Sequence, residues 1–237
     1  MTGSEQRWMH AVTERSSTPS DVIILGTGGN ALDIVDSLLE LNDRRNGAYR
    51  PLGFLDDDPA KRELKFLGLP VLGRLEDAPR FTEARFVNGI GSPANYLHKP
   101  EILARTGLSP ERFLTIVHPS AEISRFARLG HGVTILQNVT VANGATVGDQ
   151  VMILPNSIVS HDVRIGDLSC IAGGVCLSGG VEIGRNCYVG SNATVRQDLN
   201  VGDGALVGMA ACVTVPVAPG ATVVGNPARP AEPGDRN

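Results

Sequence analysis

Residues 129–171 read LGHGVTILQNVTVANGATVGDQVMILPNSIVSHDVRIGDLSCI. Every sixth residue in that stretch is aliphatic and branched: Leu129, Ile135, Val141, Val147, Ile153, Val159, Ile165 and Ile171. The register extends back through Ile123 to Val117 and forward through Leu177, Ile183, Val189, Val195, Val201 and Val207 to Val213. A period of six is not the helical 3.6, and a fixed period held over so many copies marks a solenoid of stacked repeats. Four residues after each aliphatic comes a smaller inward position, among them Ala127, Val133, Val139, Ala145, Val151, Ser157, Val163, Ser169, Val175 and Val181. Such a hexad is one flat side of a parallel β-helix.

Gly130, Gly148, Gly166, Gly184 and Gly202 recur every eighteen residues, so one turn of the coil has three sides. The spacing predicts that glycine serves one corner whose backbone shape a Cβ resists. With turns stacked about 4.8 Å apart, fewer than six of them make a prism roughly 27 Å long. The interior is too narrow for rings, in keeping with the scarcity of aromatic residues.

Composition removes several classes of function. The net charge is −4 and only three lysines occur, so no basic face for nucleic acid or an anionic membrane is expected. No segment approaches the ~20 apolar residues that span a bilayer. The first twenty residues lack the apolar centre of a signal peptide, and a cytoplasmic chain is expected. Cys170, Cys176, Cys187 and Cys212 lie among the hexads without CxxC spacing, which speaks against disulfides and a zinc knuckle.

Upstream of the coil the pattern changes. Residues 1–20 are polar and unpatterned and read as a flexible arm with Trp8 as its only anchor. Val22-Ile-Ile-Leu25 is a short buried strand, followed by the turn Gly26-Thr-Gly-Gly-Asn-Ala31 and a helix with the apolar stripe Ala31, Ile34, Val35, Leu38 and Leu39. Strand, glycine turn and helix together present backbone N–H groups to an anion, and the spacing satisfies the dinucleotide fingerprint G-x-G-x-x-A. A second strand over residues 51–55 ends in Asp56-Asp57-Asp58, which sets carboxylates at the carboxyl edge of the sheet, where α/β sheets bind ligands. Residues 70–72 and 85–90 read as further strands. A helix is expected from Gly91-Ser-Pro to about Thr106, with Ser92 as its N-cap, and residues 113–117 are expected to close the sheet. The whole unit is half of a doubly wound dinucleotide domain and offers one nucleotide half-site.

The hexads, the pair His161-Asp162 within Val159-Ser-His-Asp-Val-Arg-Ile-Gly166, and the ending Gly225-Asn-Pro-Ala-Arg229 resemble the trimeric left-handed β-helix acyltransferases. With the N-terminal unit, the chain is similar over about residues 21–230 to the sugar acetyltransferases that act on sialic acids or nucleotide-linked amino sugars. The resemblance implies an α/β + β fold: a small N-terminal Rossmann-like parallel sheet, then a left-handed parallel β-helix of hexapeptide repeats. The expected divisions are an arm (1–20), an acceptor-binding domain (21–117), an acyltransferase coil (118–230) and a tail (231–237).

The resemblance also implies roles. Attack of a sugar amine or hydroxyl on a thioester releases a proton, which an imidazole, with an ordinary pKa of about 6.5, can accept at neutral pH. His161 is the implied general base, with Asp162 orienting it. Gly179, one coil later at the equivalent position, is implied to offer its backbone N–H to the oxyanion. Gly26, Gly28, Gly29, Asn30, Asp56, Asp57 and Gly91 are the implied acceptor contacts. Cys170, Gly190, Gly208, Ala210 and Arg229 join Gly179 as implied contacts of the cosubstrate acetyl-CoA, held between the prisms of a homotrimer. No metal is implied. Two positions depart from the family pattern: Asn30 and Cys170 stand where some relatives carry histidines.

Other readings remain at this stage. The glycine turn can be a plain tight turn, or part of a dehydrogenase site, although that would need a second half domain. A zinc carbonic anhydrase on the same prism needs three convergent histidines, and His131 and His161 are five hexads apart on different sides. A sugar nucleotidyltransferase needs a larger α/β domain than ~95 residues. A silent scaffold and a sialic-acid-type O-acetyltransferase stay open beside the nucleotide-sugar N-acetyltransferase.

Overall fold

The computed structural model describes residues 19–45 and 47–231. Nearly all of the expected arm, Trp8 included, and all but the first residue of the tail lie outside the described residues.

The N-terminal unit is built from β1 (Ser20–Leu25), α1 (Gly29–Arg45), β2 (Tyr49–Leu55), β3 (Lys65–Phe66), β4 (Leu69–Gly73), β5 (Arg85–Asn88) and the short α2 (Lys99–Ala104). Its sheet has the order β3-β4-β2-β1-β5 and is parallel except for the β3–β4 hairpin. The run Val22, Ile23, Ile24 and Leu25 is fully buried because both faces of the central strand are covered, as in other parallel sheets. On α1 the inward stripe is Ala31, Ile34, Val35, Leu38 and Leu41; Leu39 is instead about half exposed.

Two other expectations shift. The helix expected from Gly91 starts only at Lys99, after a turn over Tyr96–His98. Pro100 is the reason: it has no N–H to bond the carbonyl four residues back, so the regular helix cannot run through it from upstream. The segment expected to close the sheet makes only the bridge between Phe113 and Phe86 before its last residues, Ile116–Val117, turn away to become the first rung of the coil.

From Ile116 onward the chain is a left-handed parallel β-helix. Its first face is made of Ile116–Val117, Thr134–Ile135, Met152–Ile153, Cys170–Ile171, Tyr188–Val189 and Leu206–Val207. The second is Glu122–Ile123, Thr140–Val141, Ile158–Val159, Cys176–Leu177, Thr194–Val195 and Cys212–Val213, and the third is Arg128–Leu129, Thr146–Val147, Arg164–Ile165, Glu182–Ile183 and Asn200–Val201. Within each face the pairs bond in parallel at a spacing of eighteen residues, and Leu206–Val207 bonds onward to Thr222–Val223 at a spacing of sixteen. The hexad aliphatics and the small inward residues form one continuous apolar core. Two inward serines remain satisfied: Ser157 Oγ donates to Ala172 O at 2.8 Å, and Ser169 Oγ to Gly184 O at 2.8 Å. The six-residue rhythm breaks after Val213, where Val217 takes the inward place and bridges to Val201.

The glycine column is explained by space rather than by dihedral angle. The left-handed corners fall two residues later, at Gly132 (φ 64°), Gln150 (φ 57°), Leu168 (φ 66°), Asn186 (φ 53°) and Gly204 (φ 68°). A Cβ at Gly184 would sit 2.6 Å from the backbone nitrogen of Asp203, and one at Gly166 2.6 Å from the carbonyl carbon of Gly184. The next coil passes too close for any side chain. Asp149, Asp167 and Asp203 fill the gap beside the column, each accepting from a backbone N–H one coil earlier, at 2.8, 2.9 and 2.8 Å.

The N-terminal unit packs on the first face. One apolar cluster joins Val22, Ile24, the α1 stripe and Val87 to Ile116, Leu136, Met152 and Cys170 of the coil. No helix among the described residues is long and apolar enough to cross a membrane.

The account of the glycine column makes a measurable distinction. Gly184→Ala is expected to lower stability by about 1–3 kcal/mol, the usual cost of forcing a methyl into packed structure. Asn192→Gly, at an exposed left-handed corner, is expected to stay within about 0.5 kcal/mol of the parent, because relief of the left-handed backbone and the added freedom of glycine offset each other. Denaturant unfolding of the two variants checks both.

Candidate active site

His161 and Asp162 form the corner between the second and third faces. The alternation of the wall turns His161 outward, and its side chain is 65% exposed. Nδ1 lies 2.9 Å from Oδ2 of Asp162. A carboxylate can only accept, so Nδ1 carries the proton and Nε2 is left with a free lone pair. Asp162 itself occupies a left-handed corner and lies over Gly144 of the coil below.

Gly179 stands one coil beyond His161 in the same column. A Cβ there would fall 2.5 Å from both Cε1 and Nε2 of the imidazole. Any side chain at 179 would therefore displace the ring, and only glycine leaves the imidazole its place against the next coil. The carbonyl of Gly179 accepts from Asp198 N, while its own N–H has no protein acceptor among the described residues.

The residues expected to bind the acceptor gather elsewhere, at the carboxyl edge of β1, β2 and β5. Gly26 has φ 82°, a conformation that favours glycine. Gly28 and Gly29 face open space. Asn30 Nδ2 donates to Gly91 O at 2.8 Å, which ties the two sides of the cleft together. Asp56 accepts from Thr27 Oγ1 at 2.6 Å and from Lys61 Nζ at 3.0 Å. Burial alone would push the Asp56 carboxyl up. The hydrogen bonds from Thr27, the Asp58 N–H and Lys61 outweigh that and hold it below its ordinary value, so it is ionised at neutral pH.

Three expected contacts need correction. Asp57 turns away from the glycine turn: one oxygen accepts from Leu75 N at 3.1 Å and the other lies 2.8 Å from Arg105, so it braces the fold. Cys170 is fully buried in the seam between the two units, its sulfur 4.0 Å from Gly91 O, and burial pushes its thiol up to about 11, with Lys99 opposing. Gly190 is covered by the next coil, since a Cβ there would meet Met209 N at 2.6 Å; at that corner of the next coil Met209 and Ala210 are the exposed residues. Gly208 lies on the same corner, between the first and second faces, while Arg229 is exposed near the end of the coil.

Within one chain, then, the two groups of residues stay apart. The glycine turn belongs to the unit packed on the first face, and His161 lies on the edge opposite to that face. A groove of about 410 Å³ runs along the third face beside Gly148, Arg164, Gly166 and Glu182, and its lining includes neither His161 nor any acceptor residue. Among the described residues no cluster of three or more His, Cys, Asp or Glu could hold a metal.

Sequence reasoning missed Thr27 and Lys99. Thr27 sits inside the glycine turn and is the only hydroxyl there, which was a usable signal. Lys99 begins a helix, where a cation opposes the macrodipole, and that misfit was its only trace in the sequence.

Known proteins share this architecture. The family described as bacterial transferase hexapeptide (six repeats) matches residues 144–179. A search of curated proteins found no match. Among solved structures, the acetyltransferase domain of PglB from Neisseria gonorrhoeae, in complex with acetyl coenzyme A, superposes with a TM-score of 0.78 at 26% identity, over 90% of this chain and 100% of that one. Perosamine N-acetyltransferase from Caulobacter crescentus, in complex with CoA and GDP-perosamine, gives 0.79 at 26% identity over 91% and 99%. WeeI from Acinetobacter baumannii gives 0.72 at 24% identity over 90% and 100%, a likeness of fold. A hexad coil joined to a small parallel sheet is the architecture of the PglB acetyltransferase domain and of perosamine N-acetyltransferase, and this chain, with the hexapeptide repeat of bacterial transferases, is similar to both over about nine-tenths of its length.

Proposed function

We propose that the chain transfers the acetyl group of acetyl-CoA to the amine of a nucleotide-linked amino sugar, with His161 as general base. The observation that carries this is the imidazole held beneath Gly179, with Nδ1 fixed by Asp162 and Nε2 open. The amine nitrogen attacks the thioester carbonyl and loses its proton to Nε2 of His161. Asp162 stabilises the imidazolium. The free N–H of Gly179 is placed to receive the oxyanion, which collapses as the carbon–sulfur bond breaks and the thiolate takes up a proton.

The acceptor belongs at the turn Gly26, Gly28, Gly29, Asn30, where open backbone at a helix N-terminus suits a diphosphate. Gly91 and Asp56 border it. The similarity to the perosamine enzyme, which is described with GDP-perosamine, supports this class of acceptor. A reaction fed by acetyl-CoA and a nucleotide sugar belongs in the cytoplasm.

Because the acceptor turn and His161 lie on opposite sides of one prism, a working site takes one half from each of two copies. Such a contact is heterologous and must close into a ring; we propose a homotrimer. The second face is suited to the contact: Thr140, Ile158, Cys176, Thr194 and Cys212 are uncharged, and Ile158 is 47% exposed. The third face instead carries Arg128 and the ion pair Arg164–Glu182. In this arrangement Gly208 and Ala210 of one prism and Gly179 of the next border the pantetheine, with Arg229 near the phosphates.

Thiol release from acetyl-CoA, read against a panel of nucleotide amino sugars and sialic acids, tests the reading. An amino sugar on a nucleotide is expected to be turned over, and His161→Ala to slow it by roughly 10²–10⁴ with melting temperature and assembly unchanged; undiminished activity in that variant contradicts the assignment of the base. Ile158→Glu, which buries a carboxylate at the proposed contact, is expected to give folded monomers without activity by sedimentation and assay. A trimer that survives this change would move the contact to another face.

A further inference from the structure

The segment that joins β5 to α2 runs along the coil rather than around it. Tyr96 Oη donates to Gly204 O at 3.2 Å, and Asn186 Nδ2 donates to Leu97 O at 3.2 Å. Lys99 Nζ donates to Leu168 O at 3.1 Å and to Gln150 O at 2.7 Å. Residues 150, 168, 186 and 204 are eighteen apart, and all four have left-handed backbones, with φ of 57°, 66°, 53° and 68°. They are the same corner on four successive coils. In passing from Tyr96 to Lys99 the chain crosses all four, with a long side chain at each end reaching the outermost ones.

The lower anchor is chemically unusual. Lys99 is 0% exposed, and both its hydrogen-bond partners are backbone carbonyls, with no carboxylate beside it. Burial pushes its ammonium down to about 8, with the Cys170 sulfur opposing. An apolar side chain of the same length would avoid that desolvation, so the ammonium must contribute something that packing alone does not. What it contributes is direction: two carbonyls at a fixed vertical spacing admit one height of the segment on the coil, whereas an apolar contact could slide.

The other end of this strap is the acceptor cleft. Gly91, eight residues before Lys99, lies against Met152 and Cys170 on the coil, and its carbonyl is held by Asn30 in the glycine turn. Ser92 N donates to Asn95 Oδ1 at 2.8 Å and Tyr96 N to Ser92 O at 2.9 Å, so little slack remains between Gly91 and the strap.

We propose that Lys99 is a positioning residue which, with Tyr96 at the far end of the strap, fixes the height of the Asn30–Gly91 turn on the coil and so sets the reach of the bound acceptor toward the catalytic edge. This rests on the reading of that turn as the acceptor site. Lys99 touches neither substrate nor His161. Its effect passes through the strap.

The test uses the full-length protein carrying Lys99→Met, which keeps the length and removes the two bonds, and separately Tyr96→Phe, which removes the hydroxyl bonded to Gly204 O and keeps the ring. Amide hydrogen exchange is expected to rise at residues 26–31 and 89–99 in both variants, while amides of the coil beyond 205 keep their protection. In steady-state assays KM for the nucleotide amino sugar is expected to rise about tenfold or more in Lys99→Met, the scale of losing an ammonium's charge-assisted hydrogen bonds, and KM for acetyl-CoA to stay within about twofold. Should Lys99→Met fail to fold, Tyr96→Phe carries the test with a smaller rise. Unchanged exchange at the turn in folded variants overturns the proposal, as does an equal loss in all kinetic parameters together with stability, which would make the strap merely structural. If the parent protein turns over no nucleotide amino sugar, the acceptor reading fails on its own, and the exchange measurement still decides whether the strap holds the turn.

Discussion

The coil is six residues to a side, and its interior has room for one branched aliphatic and one small residue from each. Nothing larger fits, and nothing polar is admitted unless, like Ser157 and Ser169, it can bond a carbonyl across the wall. Because each rung as far as Val213 is bonded to the one eighteen residues away, the chain cannot shift register there without moving polar residues inside. Lateral position is thus fixed modulo eighteen as far as Val213.

That fixed address allows single residues to act together across coils. His161 meets Gly179 because eighteen residues separate them, and the ring has room there only because the later residue has no side chain. The same arithmetic stacks Asp149, Asp167 and Asp203 beside the glycine column, and aligns the four corners that Tyr96, Leu97 and Lys99 grasp. The coil also separates functions: its first face carries the N-terminal unit, its second is uncharged along its middle, and its third bears charge. Catalytic and acceptor groups fall on opposite sides, which makes association of copies part of the chemistry in the reading proposed above.

Much of this was legible beforehand. The hexads declare the coil, and the alternation of the wall declares that His161 points outward. The glycine turn and the stripe on α1 were read nearly to the residue, with Leu39 replaced by Leu41 inside. Where the reading slipped, a contact distant in sequence decided the outcome. The eighteen-residue glycines were assigned to corner dihedrals, but the pressure on them comes from the neighbouring coil. Asp57 looked like its neighbour Asp56, yet successive residues at a strand end point to opposite sides, and Arg105 was waiting on the other side. Cys170 stood at a position suited to the acyl group, and the packing of the N-terminal unit covered it. No spacing rule announces Lys99, because both of its partners are backbone carbonyls some fifty and seventy residues away.

The central claim is that one active site is assembled from two chains. Mixing two inactive variants addresses it directly: His161→Ala, which keeps the acceptor turn, and Gly28→Trp, which fills the open mouth of that turn and keeps the base. Co-refolded in equal amounts, they should regain about a quarter of the parent activity, the share of interfaces that pair an intact turn with an intact histidine in a randomly assembled ring. Mixed oligomers that stay inactive would contradict the shared site and return both halves of the chemistry to a single chain.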